Sequence, residues 1–290
     1  MKKINKNTIV ISSIDTFQTK DTVENRKLKV DVLPGQTKKY INDGIITTRW
    51  NPNHKGIINK LTETEEMIEE MYSMATVINF REIKMNRIDI HTDIDIEFQY
   101  VSKMLDMLFM SITEGMGKSR KEWIDKDDLQ KESYWLGTQY VEVNFYNKKT
   151  ACKNSGEKCE YPTRLEIRFK KIKSQDKKFH IDKAIKIYSD ALERFKYAES
   201  SRIKALCDEW DIFKKENPKG TLTHFVIKYE CEIYTRRILH ELYEYVGLKG
   251  NFKSWVDKFK RGYKLELITE KDMKELIKRI NISLKRYKNN

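Results

Sequence analysis

An α+β fold is predicted: an antiparallel β-sheet with helices on one face, followed by an all-helical C-terminal region. Three observations predict it. Up to about residue 170, apolar residues recur at every second position in several short runs, the period of a half-buried strand. After Ser174-Gln175-Asp176 the period lengthens to 3.6 and stays there. Three of the alternating runs also carry carboxylates, basic groups and a tyrosine opposite their apolar residues. The change of period sets a boundary near 176, between an α+β part, 1–176, and a helical part, 177–290.

The first part reads as strands with one clear helix. Alternation marks strands over 8–17 ("TIVISSIDTF") and 26–33 ("RKLKVDVL"), the second closed by the turn pair Pro34-Gly35. A further strand, 44–50, ends at Asn51-Pro52-Asn53. Thr62-Glu63-Thr64-Glu65 is a capping box, in which a threonine oxygen and a glutamate satisfy free N–H groups, and it opens a helix to about Thr76. The stretch "NFREIKMNRIDIHTDI" alternates again as one long strand. Asp95 is the expected N-cap of the next helix, whose stripe is Phe98, Val101, Leu105, Leu108, Phe109 and Ile112. A charged connector over 118–132 leads to the strand "VEVNFY", and the last strand covers 163–170 with Pro162 at its start. Helices follow at about 181–198, 200–215, 221–246, 251–260 and 270–288. The last is the most regular. Thr269 caps it, Asp272 closes the box, and Met273, Leu276, Ile277, Ile280, Leu284 and Tyr287 form one apolar stripe.

Charge narrows the partner. Lys and Arg number 57 against 44 Asp and Glu, a formal net charge of +13, and the pI is near 9.3. A field of that sign favours a polyanion, nucleic acid first and an anionic membrane second. With 35% charged residues and no long apolar run, the chain has no candidate membrane span. The short apolar run behind Met1-Lys2-Lys3 is broken by Ser12-Ser13 and Asp15, so no signal peptide is read and a cytoplasmic location is expected. Four cysteines, Cys152, Cys159, Cys207 and Cys231, show no CxxC spacing and read as ordinary thiols. Only 4 prolines and 11 glycines leave little room for long linkers.

Strand parity then gathers a polar face. In "RIDIHTD" Ile88 and Ile90 point one way, and Arg87, Asp89, His91 and Asp93 the other. In "VEVNFY" the polar side holds Glu142, Asn144 and Tyr146; in "RLEIRFK" it holds Arg164, Glu166 and Arg168. In one sheet these carboxylates, with an optional imidazole, are an oxygen-rich set suited to Mg²⁺ or Mn²⁺. A tyrosine beside such an ion can attack phosphorus, and Lys148 can hold a phosphate oxygen. The same parity also suits plain cross-strand charge pairing, Arg87 with Asp89 or Arg164 with Glu166.

The order of the motifs resembles a known family. Arg87-Ile88-Asp89, then Gly137 through Tyr146-Asn147-Lys148, then Arg164-Leu165-Glu166-Ile167-Arg168 are similar to the core of rolling-circle replication initiators. The likeness is to the class without a His-x-His motif, found among trans-acting plasmid initiators and filamentous-phage gene II-like proteins. It covers about residues 84–172, and "SSIDTF" resembles the family's opening strand. Two departures stand out. Lys149-Thr150-Ala151 replaces a glutamate often found after the YNK lysine, and His91-Thr92-Asp93 fails as a His-x-His motif.

The resemblance implies a metal-dependent nicking and joining enzyme for plasmid or phage replication. Tyr146 would attack one origin strand and stay on its 5′-phosphate, freeing a 3′-hydroxyl, with Lys148 supporting the phosphate. Asp89, Glu166 and Glu142 would hold the divalent ion, and Arg87, Arg164 and Arg168 would contact DNA. Tyr140, on the same parity but about 20 Å away along an extended strand, is a rival nucleophile. The helical part would recognise the DNA through Lys258, Lys260 and Arg261, among Phe252, Trp255, Phe259 and Tyr263. Expected partners are origin DNA, a host helicase and polymerase, and a second copy of the chain, with no membrane. The alternatives are a mobilisation relaxase of the same chemistry and a DNA-binding regulator that does not cut.

Overall fold

The computed structural model describes residues 4, 7–22, 26–27, 36–43, 45–50, 76–77, 83–113, 119–124, 131–155, 158–174, 176–229, 235–263 and 267–289. It forms two compact units that interleave along the chain. Thr8–Asp95, Lys118–Tyr188 and Arg279–Asn290 make the sheet unit; Met1–Asn7, Ile96–Gly117 and Ser189–Lys278 make the helical unit. The expected strand 26–33 is described only at residues 26–27. The capping box at Thr62 and the helix it opens lie outside the described residues.

In chain order the strands are β1 (Val10–Thr22), β2 (Arg26–Lys27), β3 (Gln36–Asn42), β4 (Ile45–Trp50), β5 (Thr76–Val77) and β6 (Lys84–Ile94). They continue as β7 (Ser119–Ile124), β8 (Lys131–Gly137), β9 (Val141–Asn147) and β10 (Thr163–Lys170). Eight of them form one antiparallel sheet in the order β3-β4-β1-β6-β10-β9-β8-β7, and β2 pairs with β5. β7 falls in the stretch expected to be a connector. It is an edge strand, and its sequence "SRKEWI" carries the charges that keep an edge from pairing further, which hides the alternation. β1 changes register between Ile14 and Thr16, a bulge that brings Thr16 opposite Asp89.

One face of this sheet is apolar and covered. Ile88, Ile90, Ile94, Val143, Phe145, Leu165, Ile167 and Phe169 are all buried. The start of α3 (Lys177–Glu193) packs there: Tyr188 hydrogen-bonds Thr92, and the His180 ring lies 5.3 Å from Phe169. Burial holds the His180 imidazole below its ordinary pKa and the Tyr188 phenol well above its own. The end of α8 (Glu270–Asn289) packs beside it, with Tyr287 bonded to the Ile14 main chain and Lys288 2.6 Å from Asp182. Asp95, expected as a helix N-cap, does other work. Its carboxylate accepts the Ile9 N–H at 2.9 Å and its own N–H reaches the Ile9 carbonyl at 3.2 Å, extending the β1–β6 ladder.

The helical unit is built on α1 (Phe98–Thr113) and α4 (Phe195–Glu216), with α5 (Leu222–Lys228), α6 (Arg236–Tyr245), α7 (Phe252–Tyr263) and the first turns of α8. Phe98, Val101 and Leu105 of the expected α1 stripe are fully buried. Phe225 meets Trp210 and Phe213 edge-on, each at 5.4 Å. The single helix expected over 221–246 is two. Thr235 is extended, accepts the Ile238 N–H at 3.2 Å, and donates to the buried Glu199 carboxylate at 2.5 Å, so α6 starts afresh there. The Thr269–Asp272 box forms as expected, with reciprocal bonds of 3.1 Å. Among the described residues, no helix is long and apolar enough to cross a membrane.

Candidate functional site

The register of β8, β9, β10, β6 and β1 converts the polar face into rows. Across the strands run Ser133, Tyr146, Arg164 and Asp93; then Trp135, Asn144, Glu166, His91 and Ser13; then Gly137, Glu142, Arg168, Asp89 and Thr16. So Asp89, Glu142, Tyr146, Arg164, Glu166 and Arg168 share one face, with Lys170 and Arg87 opposite each other in the next row. Asp89, His91, Asp93, Asn144 and Glu166 are buried, whereas Tyr146 and the basic side chains are half-buried. The carboxylates form a floor and the cations a rim.

Every carboxylate on that floor is met by a cation. Arg87 grips Asp89 through both oxygens, at 2.7 and 2.5 Å. Arg164 grips Asp93 at 2.7 and 2.9 Å, and Lys148 Nζ reaches the same carboxylate at 2.6 Å. Lys170 pairs with Glu142. Five cations (Arg87, Lys148, Arg164, Arg168, Lys170) therefore face four carboxylates (Asp89, Asp93, Glu142, Glu166). Burial pushes the Asp93 carboxyl up, but Arg164, His91 and Lys148 together hold it below its ordinary value. Glu142 follows the same balance: burial raises it, and Lys170 and Arg168 bring it lower. Burial works against the Arg168 charge, yet Glu166, Asp89 and Glu142 raise its pKa further.

Arg168 occupies the middle. Its guanidinium lies 2.5 Å from Glu166, 2.9 Å from Glu142 and 3.7 Å from Asp89, the three carboxylates the resemblance assigns to a divalent ion. They converge, but on a guanidinium. Among the described residues, no group of three or more His, Cys, Asp or Glu side chains is disposed to hold a metal. Arranged this way, the three do not fit Mg²⁺ or Mn²⁺.

Tyr146 owes its setting to its neighbours in sequence. Its hydroxyl lies 3.4 Å from Glu166 Oε1, while Arg168 holds Oε2 through two N–H groups at 2.9 and 2.5 Å. Next in the chain, the Asn147 side chain accepts the Lys149 N–H at 3.1 Å and turns the strand into α2 (Lys148–Ser155). That turn brings Lys148 back to Asp93, so its ammonium is held there beside Arg164. Gly137, opposite Glu142, is close-packed: a Cβ would sit 3.0 Å from the Glu142 Cα. Tyr140 lies in the hairpin turn between β8 and β9, exposed, at the far end of β9 from Tyr146.

Lys258, Lys260 and Arg261 stand on the exposed side of α7 in the helical unit, and Phe259 between them is buried. Trp255 stacks on Phe259 at 5.6 Å and on Phe252 at 6.4 Å, so these aromatics pack on one another. Sequence reasoning missed Trp135 and Lys170 on the sheet face. Trp135 sits in the run Tyr134-Trp135-Leu136, aromatic or apolar on both faces and so without alternation, and Lys170 was reachable by carrying the β10 parity one step further.

No protein-family model matches the chain, and no curated protein matches it. Among solved structures, the rolling circle replication initiator protein from Geobacillus stearothermophilus is similar at a TM-score of 0.34 and 11% identity, over 58% of this chain and 77% of that one. A likeness of that size carries no argument about this chain.

Proposed function

We propose that the polar sheet face nicks and rejoins a DNA strand, with Tyr146 as nucleophile, to initiate rolling-circle replication of a plasmid or phage. One observation carries the reading: the Tyr146 hydroxyl faces a carboxylate oxygen of Glu166, 3.4 Å away, on a face rimmed by cations. Glu166 takes the phenol proton as the tyrosine oxygen attacks phosphorus. The Tyr146 O–P bond forms, the P–O3′ bond breaks, and the leaving 3′-oxygen takes a proton from solvent. A carboxylate is a weaker base than a phenolate, so the proton moves only as phosphorus draws charge from the oxygen. Arg168 holds Glu166 in orientation, and Arg164 and Lys148, held by Asp93, supply positive charge for the phosphate. The reverse step rejoins the strand, and the free 3′-hydroxyl primes a host polymerase.

No step runs through a divalent ion, and the Mg²⁺ or Mn²⁺ implied by the resemblance is a variable of the test. Supercoiled DNA carrying the locus that encodes the chain is incubated with protein, with and without each ion, and quenched in detergent. A covalent protein–DNA adduct is expected, with the phosphonucleotide on the Tyr146 peptide by mass spectrometry. Tyr146→Phe should abolish the adduct and leave DNA binding unchanged. An adduct that persists in Tyr146→Phe overturns the assignment, and binding without an adduct under any ion returns the chain to the regulator class.

A further inference from the structure

The polar face presents a large aromatic side chain, Trp135, that the chemistry above does not use. Trp135 stands on β8 directly opposite Asn144 and one row from Tyr146. It is 36% exposed, beside a floor of buried side chains. The Arg168 guanidinium lies 4.6 Å from its ring centroid, so a fixed cation backs the indole. Asn144 is only 3% exposed, and its Oδ1 accepts no hydrogen bond among the described residues. A buried amide oxygen without a donor is costly and rare in folded proteins. That oxygen is covered, so a planar ligand that stacks on the indole and shifts the side chains over Asn144 brings an N–H to it and satisfies both groups.

We infer that Trp135 and Asn144 form a nucleobase subsite beside Tyr146, in which one base of a single-stranded DNA stacks on the indole and donates an N–H to Asn144 Oδ1. The inference rests on DNA being the substrate of this face. Trp135 is a diagonal cross-strand neighbour of Tyr146, about 7–8 Å away by backbone spacing, which sets the base within a nucleotide or two of the phosphate under attack. Stacking on an indole accepts any base, because every base has a π-face. The acceptor adds a preference for bases with an exocyclic amino group over thymine, whose only donor is its ring imino group.

The test separates base from phosphate. The chain carrying Tyr146→Phe, so that nothing is cut, is titrated with a labelled oligodeoxycytidine, an oligothymidine, and an abasic phosphodiester chain of the same length. The cytidine strand is expected to bind best and the abasic chain worst. Trp135→Ala should weaken both base-bearing strands about tenfold and leave the abasic chain unchanged. Trp135→Phe should restore most of the loss, and Asn144→Leu should erase the preference for cytidine over thymidine. Equal weakening of all three ligands by Trp135→Ala, or no weakening of the base-bearing ones, overturns the subsite. If no strand binds at all, the DNA reading falls with it. If DNA is cut at Tyr146 while Trp135→Ala binds normally, the subsite alone falls.

Discussion

The two faces of the central sheet are made from alternate residues of the same strands, and they hold together by opposite means. On one side Ile90, Phe145, Leu165 and Ile167 lose all or nearly all contact with water beneath helices. Their contribution follows from buried area, about 1.5–3 kcal/mol for each fully buried large side chain, with little dependence on direction, salt or pH. On the other side four carboxylates and five cations interlock, and each group is tolerable only because a partner of opposite charge is in place. A methyl group on the first face has many neighbours that compensate for it. Loss of a guanidinium on the second leaves buried negative charge less compensated, so chemistry collects where substitution is least forgiving.

The contrast breaks most visibly through Phe145, which is fully buried. Phe145→Ala should cost about 3–5 kcal/mol in denaturant unfolding, by the same amount at neutral pH and at pH 5. A loss that varied with pH across that span would mean the apolar face is coupled to the charged one. Arg168→Gln strikes the other face. It removes the cation shared by Glu166, Glu142 and Asp89, although Asp89 keeps Arg87 and Glu142 keeps Lys170, at a cost of about 3 kcal/mol, and it opens the three-carboxylate cluster to an ion. Added Mn²⁺ should therefore raise the melting temperature of Arg168→Gln and broaden the Mn²⁺ resonance signal, with neither change in the wild type. Equal Mn²⁺ stabilisation of both proteins would show that the ion enters without displacing the guanidinium.

The smallest effect is on pH. Asp93 and Glu142 are held below their ordinary values, so the folded chain binds their protons less readily than the unfolded chain does. The stability they contribute is complete above the ordinary carboxylate range near pH 4 and drains away as pH falls through the depressed folded values. Acid unfolding should therefore steepen below that range. Asp93→Asn should be less stable than the wild type at neutral pH and show a shallower acid limb, as followed by circular dichroism. An unchanged acid limb would place the acid sensitivity elsewhere.

Legibility followed the same division. β6, β9 and β10 were readable because each has an apolar set at strict period two, and that same count put Asp89, Tyr146 and Glu166 on one side. β7 was unreadable because the charges that protect an edge strand also erase its alternation. The break between α5 and α6 was missed because Thr235 sits in an apolar-periodic stretch, and only its bond to Glu199, 36 residues away in sequence, shows why the helix restarts there. Lys148 was read as a cation for a phosphate oxygen, and only the structure shows that the Asn147 cap turns it onto Asp93, a residue 55 positions earlier.

From sequence alone came the faces: in an extended backbone, successive side chains must point to opposite sides, so the sorting of Glu142, Asn144 and Tyr146 from Val141, Val143 and Phe145 is a local, covalent consequence. The tertiary structure decided the neighbours. Which residue stands across from which depends on register between strands far apart in the chain, and register is set by the whole apolar face docking under its helices. That is why Arg168, a single letter in an alternating run, became the cation at the centre of three carboxylates, and why Trp135 and Asn144 came to stand side by side next to Tyr146.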